Sequence, residues 1–207
     1  MTQFSVEQCA IILLVLFSIV TWALALIKVV AVLNARRQNQ AVIEAWHKDG
    51  RAESHCSGSS ACAHLLAAAQ DVTAQSGEAS EGRERLERVL HQQVRIERRA
   101  LERGLPVLGS VASTSPFIGL FGTVWGIMSA LKGIGAAGTA SLDTVAGPVG
   151  SALVATGIGI AVAVPAVLFY NSLLRLVRSE VNRWEDFAFL LYDRAQRNDI
   201  NRLAARD

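Results

Sequence analysis

Two long stretches without a charged residue, Gly104 to Leu131 and Thr144 to Leu174, lie only a short connection apart. Each exceeds the roughly 20 apolar residues needed to cross a bilayer core. Both are rich in Gly, Ala, Ser and Thr, and both contain an internal proline. Lipid tails are as apolar as leucine, so pressing two helices together in lipid gains little from the hydrophobic effect. Close packing there needs small residues. The sequence therefore predicts two membrane helices built to meet other helices and to hold a few hydroxyls away from water.

A third span is expected at the N-terminus. Cys9 to Ile27 is apolar apart from Ser18 and Thr21, and Lys28 follows. Lys28 can snorkel its ammonium to the interface. A secretory signal fits poorly, because no Lys or Arg precedes the run and no small-residue cleavage site follows before Lys28. The formal net charge of +2 says little, but its distribution says more. Eleven Lys and Arg lie between Asn34 and Arg103, and seven follow Leu174. None precedes the first span, and only Lys132 lies between the second and third. Positive residues mark the cytoplasmic side. The expected organisation is a periplasmic N-terminus with the first span (1–33) and a cytoplasmic segment (34–103). A second span (104–131), a periplasmic loop (132–144), a third span (145–174) and a cytoplasmic helix (175–207) follow. The fold class is an all-α membrane protein with three spans.

The 34–103 segment reads as helices. Asn34 to Lys48 continues the first helix in polar form, with Val42, Ile43 and Trp46 as apolar contacts. Asp49-Gly50 and Ser54 to Ser60 read as a loop. Ala61 to Gln75 is an Ala-rich helix, broken by Ser76 to Gly82. From Arg83 on, Leu86, Val89, Leu90, Val94, Glu97 and Leu101 recur at helical spacing, supported by pairs such as Glu84–Arg88. With no obvious stop before Gly104, this helix is expected to run directly into the second span. After the third span, Leu173, Val177, Val181, Trp184, Phe187, Ala188 and Leu191 form an apolar stripe, with Arg175, Arg178, Glu180 and Arg183 around it. The stripe needs a partner, and the Leu86–Leu90–Val94 stripe is the expected one. The second and third spans would thus extend into a cytoplasmic helical bundle.

Chemistry-bearing clusters are few. Cys56 and Cys62 sit among His47, His55 and His64, but C-x5-C matches none of the usual zinc spacings. Free thiols in a reducing compartment are expected instead, with no metal and no cofactor. Cys9 is expected to face lipid. No hydrolase, kinase or redox constellation and no P-loop is present, so an enzyme is not expected, nor a nucleic-acid partner. After Glu7 no span contains His or a carboxylate. Ionisable residues within membranes mark ion paths. If this chain moves protons, another chain must supply the titrating carboxylate.

Residues 115–128, Ser-Pro-Phe-Ile-Gly-Leu-Phe-Gly-Thr-Val-Trp-Gly-Ile-Met, resemble the signature of the ExbB/TolQ/MotA proton-channel family. Residues 152–167, Ala-Leu-Val-Ala-Thr-Gly-Ile-Gly-Ile-Ala-Val-Ala-Val-Pro-Ala-Val, followed by Tyr170-Asn171, resemble it too. The resemblance covers about residues 105–175 in sequence and the rest in topology. It is nearest to ExbB-like members, with TolQ-like ones next; MotA-type members have four spans. It implies a homopentamer in the inner membrane of Gram-negative bacteria. The second and third spans would line a central pore that holds an ExbD-like single-span partner with an essential Asp. Proton flow would then energise a TonB-like protein for outer-membrane transport. Thr123 and Thr156 match the family's pore-facing threonines. A Glu usual in ExbB and TolQ members, five residues before the second threonine, is Ser151 here.

The residues read by themselves are compatible with such roles. Gly119, Thr123, Gly126 and Ala130 share one face at helical spacing, beside Gly122; Ser151, Ala155, Gly159 and Ala163 share another, with Ala152 and Thr156 beside it. These small faces are expected to have no use within one three-span chain, and so to join chains. A membrane threonine ordinarily bonds its own helix; the family match points Thr123 and Thr156 toward the pore instead. Pro116 and Pro165 each remove a backbone donor and are expected to bend their helices, while Pro148 sits near the start of the third span. Two classes stay open: a proton-driven motor subunit, serving a TonB or a Tol–Pal system, and a passive membrane scaffold in contact with lipid and partner helices.

Overall fold

The computed structural model describes residues 6–49, 60–75, 79–137 and 142–204. These form five α-helices: α1 Val6–Asp49, α2 Ala61–Gln75, α3 Ala79–Glu102, α4 Leu105–Ala137 and α5 Leu142–Ala204. Three of them, within Val6–Lys48, Leu105–Gly135 and Ala146–Arg197, are long and apolar enough to cross a membrane. His55 and Cys56 lie outside the described residues.

Several boundaries differ from the sequence reading. The connection expected over 132–144 is helical at both described ends, leaving 138–141 between α4 and α5. Backbone hydrogen bonding continues where hydropathy falls, so a helix outlasts its apolar run. Pro148 accordingly lies several residues inside α5 rather than at its start. The expectation of one uninterrupted helix from Arg83 into the second span is overturned: α3 stops at Glu102 and α4 begins at Leu105. Gly104 is the stop, with φ of +89°, and the Val107 N–H donates to its carbonyl at 3.2 Å. That left-handed backbone is open to glycine and costs other residues about 1–2 kcal/mol.

The chain divides into two compact units. The first comprises Met1–Lys28 and Gly104–Leu173. Here α4 runs antiparallel to both neighbours: Gly109 meets Tyr170 of α5 and Gly126 meets Ala152, while Gly122 approaches Ala10 of α1 and Gly104 approaches Leu24 and Lys28. Leu14, Val111, Val162 and Ala166 form its buried cluster, with Phe17, Ala112, Ile118 and Ile158 packed against it. Trp22 of α1 meets Phe169 of α5 edge-on at 5.2 Å. Leu16, Leu26, Phe117, Phe121 and Leu168 point outward, and Cys9 is exposed, as lipid-facing side chains would be.

The second unit comprises Val29–Arg103 and Leu174–Asp207. Its core uses larger residues. Leu86, Leu90 and Val94 of α3 are buried, and so is the α5 stripe from Val177 on: Val177, Val181, Trp184, Phe187, Ala188 and Leu191. Trp46 of α1 meets Phe187 edge-on at 5.6 Å, and the Arg194 guanidinium lies over the Trp46 ring at 5.3 Å. The start of α2 is capped twice. The Ala63 N–H donates to Ser60 Oγ at 3.2 Å, and the Cys62 N–H donates to Asn39 Oδ1 of α1 at 3.1 Å. Unclaimed first-turn N–H groups are what such caps satisfy.

One sequence expectation fails here. Glu180 does not flank the stripe; it is part of it, 2% exposed. Arg183 at 3.1 Å and Arg36 of α1 at 3.6 Å pair with its Oε1. Two arginines make the burial of a carboxylate tolerable.

Candidate functional site

One α4–α5 contact in the first unit is made by glycine on both sides. A Cβ on Gly159 would stand 2.7 Å from the Ser115 carbonyl oxygen and 3.1 Å from Gly119 Cα. A Cβ on Gly119 would stand 2.8 Å from the Ala155 carbonyl oxygen and 3.0 Å from Thr156 Cα. Real Cβ contacts do not approach backbone that closely, so α4 and α5 touch here main chain to main chain. Further along, Gly122 admits the Ala155 methyl, and a Cβ on Gly126 would stand only 2.6 Å from that of Ala152. The Glu7 carboxylate of α1 also reaches Gly126, with an oxygen 3.6 Å from the same point.

This corrects the reading of the small-residue faces. Gly119, Gly122, Gly126, Ala152, Ala155 and Gly159 are used within a single chain, where they let α4 lie directly on α5. They are no argument for association between chains.

The hydroxyls along this pair divide by partner. Ser115, fully buried, donates to the Val111 carbonyl at 2.6 Å. Thr123, also buried, donates to the Leu120 carbonyl at 2.7 Å. Ser151 is exposed and donates to the Pro148 carbonyl at 3.0 Å. Each therefore bonds its own helix, the ordinary solution for a hydroxyl in an apolar setting, and keeps lone pairs as acceptors. Thr156 is different: its Oγ1 is buried and has no hydrogen-bond partner. An unpaired hydroxyl in such a place is costly. It stands at the glycine crossing, where a Cβ on Gly119 would be 3.0 Å from Thr156 Cα.

Pro116 and Pro165 lie inside α4 and α5, which continue through them. Pro116 follows Ser115, whose carbonyl contacts Gly159, so a ring without an N–H sits at the crossing itself. Sequence reasoning singles out Thr156 and the glycines. It missed that Ser115 is the most buried hydroxyl of the group, although the residue stands at the head of the quoted motif.

Among the described residues the histidines and cysteines do not gather, and no group of three His, Cys, Asp or Glu could hold a metal ion. His64 Nδ1 instead lies 2.6 Å from Glu97 of α3. Cys62 is a buried free thiol. Burial first, then the charges of Glu180 and Glu97, push it up to about 12.

Three helices long and apolar enough to cross a membrane, with hydroxyls set along a glycine-mediated antiparallel pair, define a helix-packed membrane protein. The model of the MotA/TolQ/ExbB proton channel family matches residues 59–186, and the chain belongs to that family. The biopolymer transport protein ExbB of Neisseria meningitidis is 38% identical over 177 residues, 79% of this chain and 80% of its own length. The protein of the same name from Xanthomonas campestris pv. campestris is 45% identical over 125 residues, 60% of this chain. This chain spans about half of that relative's length, 49%. The Tol-Pal system protein TolQ of Pseudomonas aeruginosa is 46% identical over 92 residues, 44% of this chain and 40% of its own length.

Proposed function

We propose that this chain is the multi-span subunit of an inner-membrane motor driven by the proton motive force. With an ExbD-like single-span partner it energises a TonB-like protein, and through it outer-membrane transport. It acts as a homopentamer around a pore, with its N-terminus in the periplasm, and does not work as an enzyme. The observation that carries this reading is the Thr156 hydroxyl, buried at the α4–α5 crossing without a partner in its own chain. A hydroxyl kept there at a cost suits a group that turns out of the crossing to hydrogen-bond a carboxylate delivered by another chain. Thr123 supports it from α4, its oxygen still free to accept while its proton is held by Leu120. The likeness to proteins named ExbB favours a TonB-linked system; the likeness to TolQ makes a Tol–Pal role the second reading.

Thr156→Val keeps the shape and removes the hydroxyl. It is expected to abolish proton-dependent function while the complex still assembles, as read by TonB- or Tol-dependent growth beside native mass spectrometry. Thr123→Val is expected to act in the same direction. If both variants keep full proton-dependent activity, the residues have no motor role and a passive scaffold is the better account.

A further inference from the structure

The second unit contains a buried ionisable group that the membrane pair does not use. Glu180 Oε1 is paired with Arg183 and Arg36, but Oε2 is buried with no hydrogen-bond partner. Two more buried polar atoms share that condition, Asn39 Nδ2 and Trp184 Nε1, on residues each 2% exposed. Helical register brings the three to one level. Arg36 pairs with Glu180; further along, Trp46 meets Phe187 and Arg194, so α1 and α5 run in the same direction here. Asn39 lies about one turn beyond Arg36, and Trp184 about one turn beyond Glu180. We propose that Asn39, Glu180 and Trp184 hold one water molecule, and that this water makes Glu180 a proton-binding site, one per chain.

The chemistry of the three atoms selects the ligand. Nδ2 and Nε1 only donate, and an ionised Oε2 only accepts. The ligand must accept twice and donate once. A sodium or ammonium ion satisfies Oε2 and neither N–H. Chloride satisfies the N–H groups and is repelled by the carboxylate. Water meets all three, and buried waters typically make about three such bonds.

The same water gives the carboxylate a partner for proton exchange without opening the core. On acidification one proton from solvent ends on Oε2, and the carboxyl O–H then donates to the water in place of one of the two N–H groups, because a water oxygen accepts only twice. No other group changes charge. The groups facing Glu180 fit this. Arg183 of α5 and Arg36 of α1 favour the carboxylate, yet burial outweighs both and pushes Glu180 above the usual carboxylate range. Cys62 of α2 is a neutral thiol, held at about 12. Glu97 of α3 is engaged with His64 of α2. The site is independent of the proposed pore chemistry.

The test uses the full chain in lipid nanodiscs. A cryo-EM map that resolves waters is expected to show one density peak within hydrogen-bond distance of Asn39 Nδ2, Glu180 Oε2 and Trp184 Nε1. Infrared difference spectra across a pH titration are expected to show a protonated-carboxyl band that Glu180→Gln removes. Trp184→Phe, which keeps the ring and loses the N–H, is expected to lose the density and shift the titration upward, because the carboxylate loses support relayed through the water. The proposal is overturned if the three atoms are paired with protein groups, or if the band persists in Glu180→Gln. Should Glu180→Gln fail to fold, an unshifted titration in Trp184→Phe overturns it as well.

Discussion

The two units solve the same problem, buried polar groups, in opposite ways. In the first, buried hydroxyls other than that of Thr156 bond the backbone of their own helix: Thr21 to Phe17, Ser115 to Val111, Thr123 to Leu120. Helices there are joined by proximity of main chains at glycine. In the second, buried polar groups reach across helices: Asn39 to the Cys62 N–H, and Glu180 to Arg36. Its helices are joined by large rings and aliphatic side chains. A segment that must be stable in lipid gains from satisfying each helix internally. One outside lipid can use polar contacts to fix which helices pair.

That contrast predicts where each unit is fragile. The largest loss is expected in the second unit, from Trp184→Ala, roughly 3–5 kcal/mol for a buried ring of this size. Thermal unfolding monitored by near-UV circular dichroism would show it, and an unchanged melting temperature would contradict a side-chain-packed core. Next comes Gly159→Ala in the first unit. The new methyl meets backbone that cannot move aside, so a cost of about 1–3 kcal/mol or more is expected. Chemical denaturation in detergent measures it; a neutral outcome would mean the α4–α5 crossing is looser than the glycines require.

Polar deletions sharpen the comparison further. Asn39→Leu strands the Cys62 N–H and is expected to cost about 1–3 kcal/mol. Ser115→Ala removes a hydroxyl that only bonded its own helix, and is expected to change stability by a few tenths of a kcal/mol at most. Equal effects in the two variants would erase the distinction drawn above. Glu180 differs from these deletions in giving a pH signature. Its folded pKa is raised, so between the unfolded and folded values the native state binds more protons, and stability falls as pH rises through that window. Below the unfolded value, in the ordinary carboxylate range, the contribution is fully favourable. Glu180→Gln is expected to flatten this slope in melting temperature against pH.

Much of this was legible in the sequence because it is local. Charge-free length marked the spans, and the bounds of α2 followed from an Ala-rich run between polar stretches. The α5 stripe followed from spacing alone, and every residue of it is buried. The glycines and Thr156 came from motif and register. What escaped depended on partners distant in the chain. Glu180 looks like any surface glutamate until Arg36 is placed beside it, and Asn39 looks solvated until α2 begins against it. Gly104 was read as the edge of a span, although its φ makes it the end of a helix. The small faces were assigned to contacts between chains because nothing in a one-dimensional pattern says which copy supplies the opposing backbone.

The glycine crossing also has a genetic consequence. At Gly119 and Gly159 the obstacle to a side chain is main chain, the carbonyls of Ala155 and Ser115. Every residue has a carbonyl, so no second substitution can make room; loss-of-function changes at these two positions should have no nearby suppressors. Gly126 is obstructed by the methyl of Ala152 instead, and that methyl can be deleted. A selection for revertants of Gly126→Ala should therefore recover Ala152→Gly, while the same selection at Gly159 should return only the original codon. Neighbouring glycines of one motif would then follow different rules of inheritance: one pair free to drift together, the other fixed.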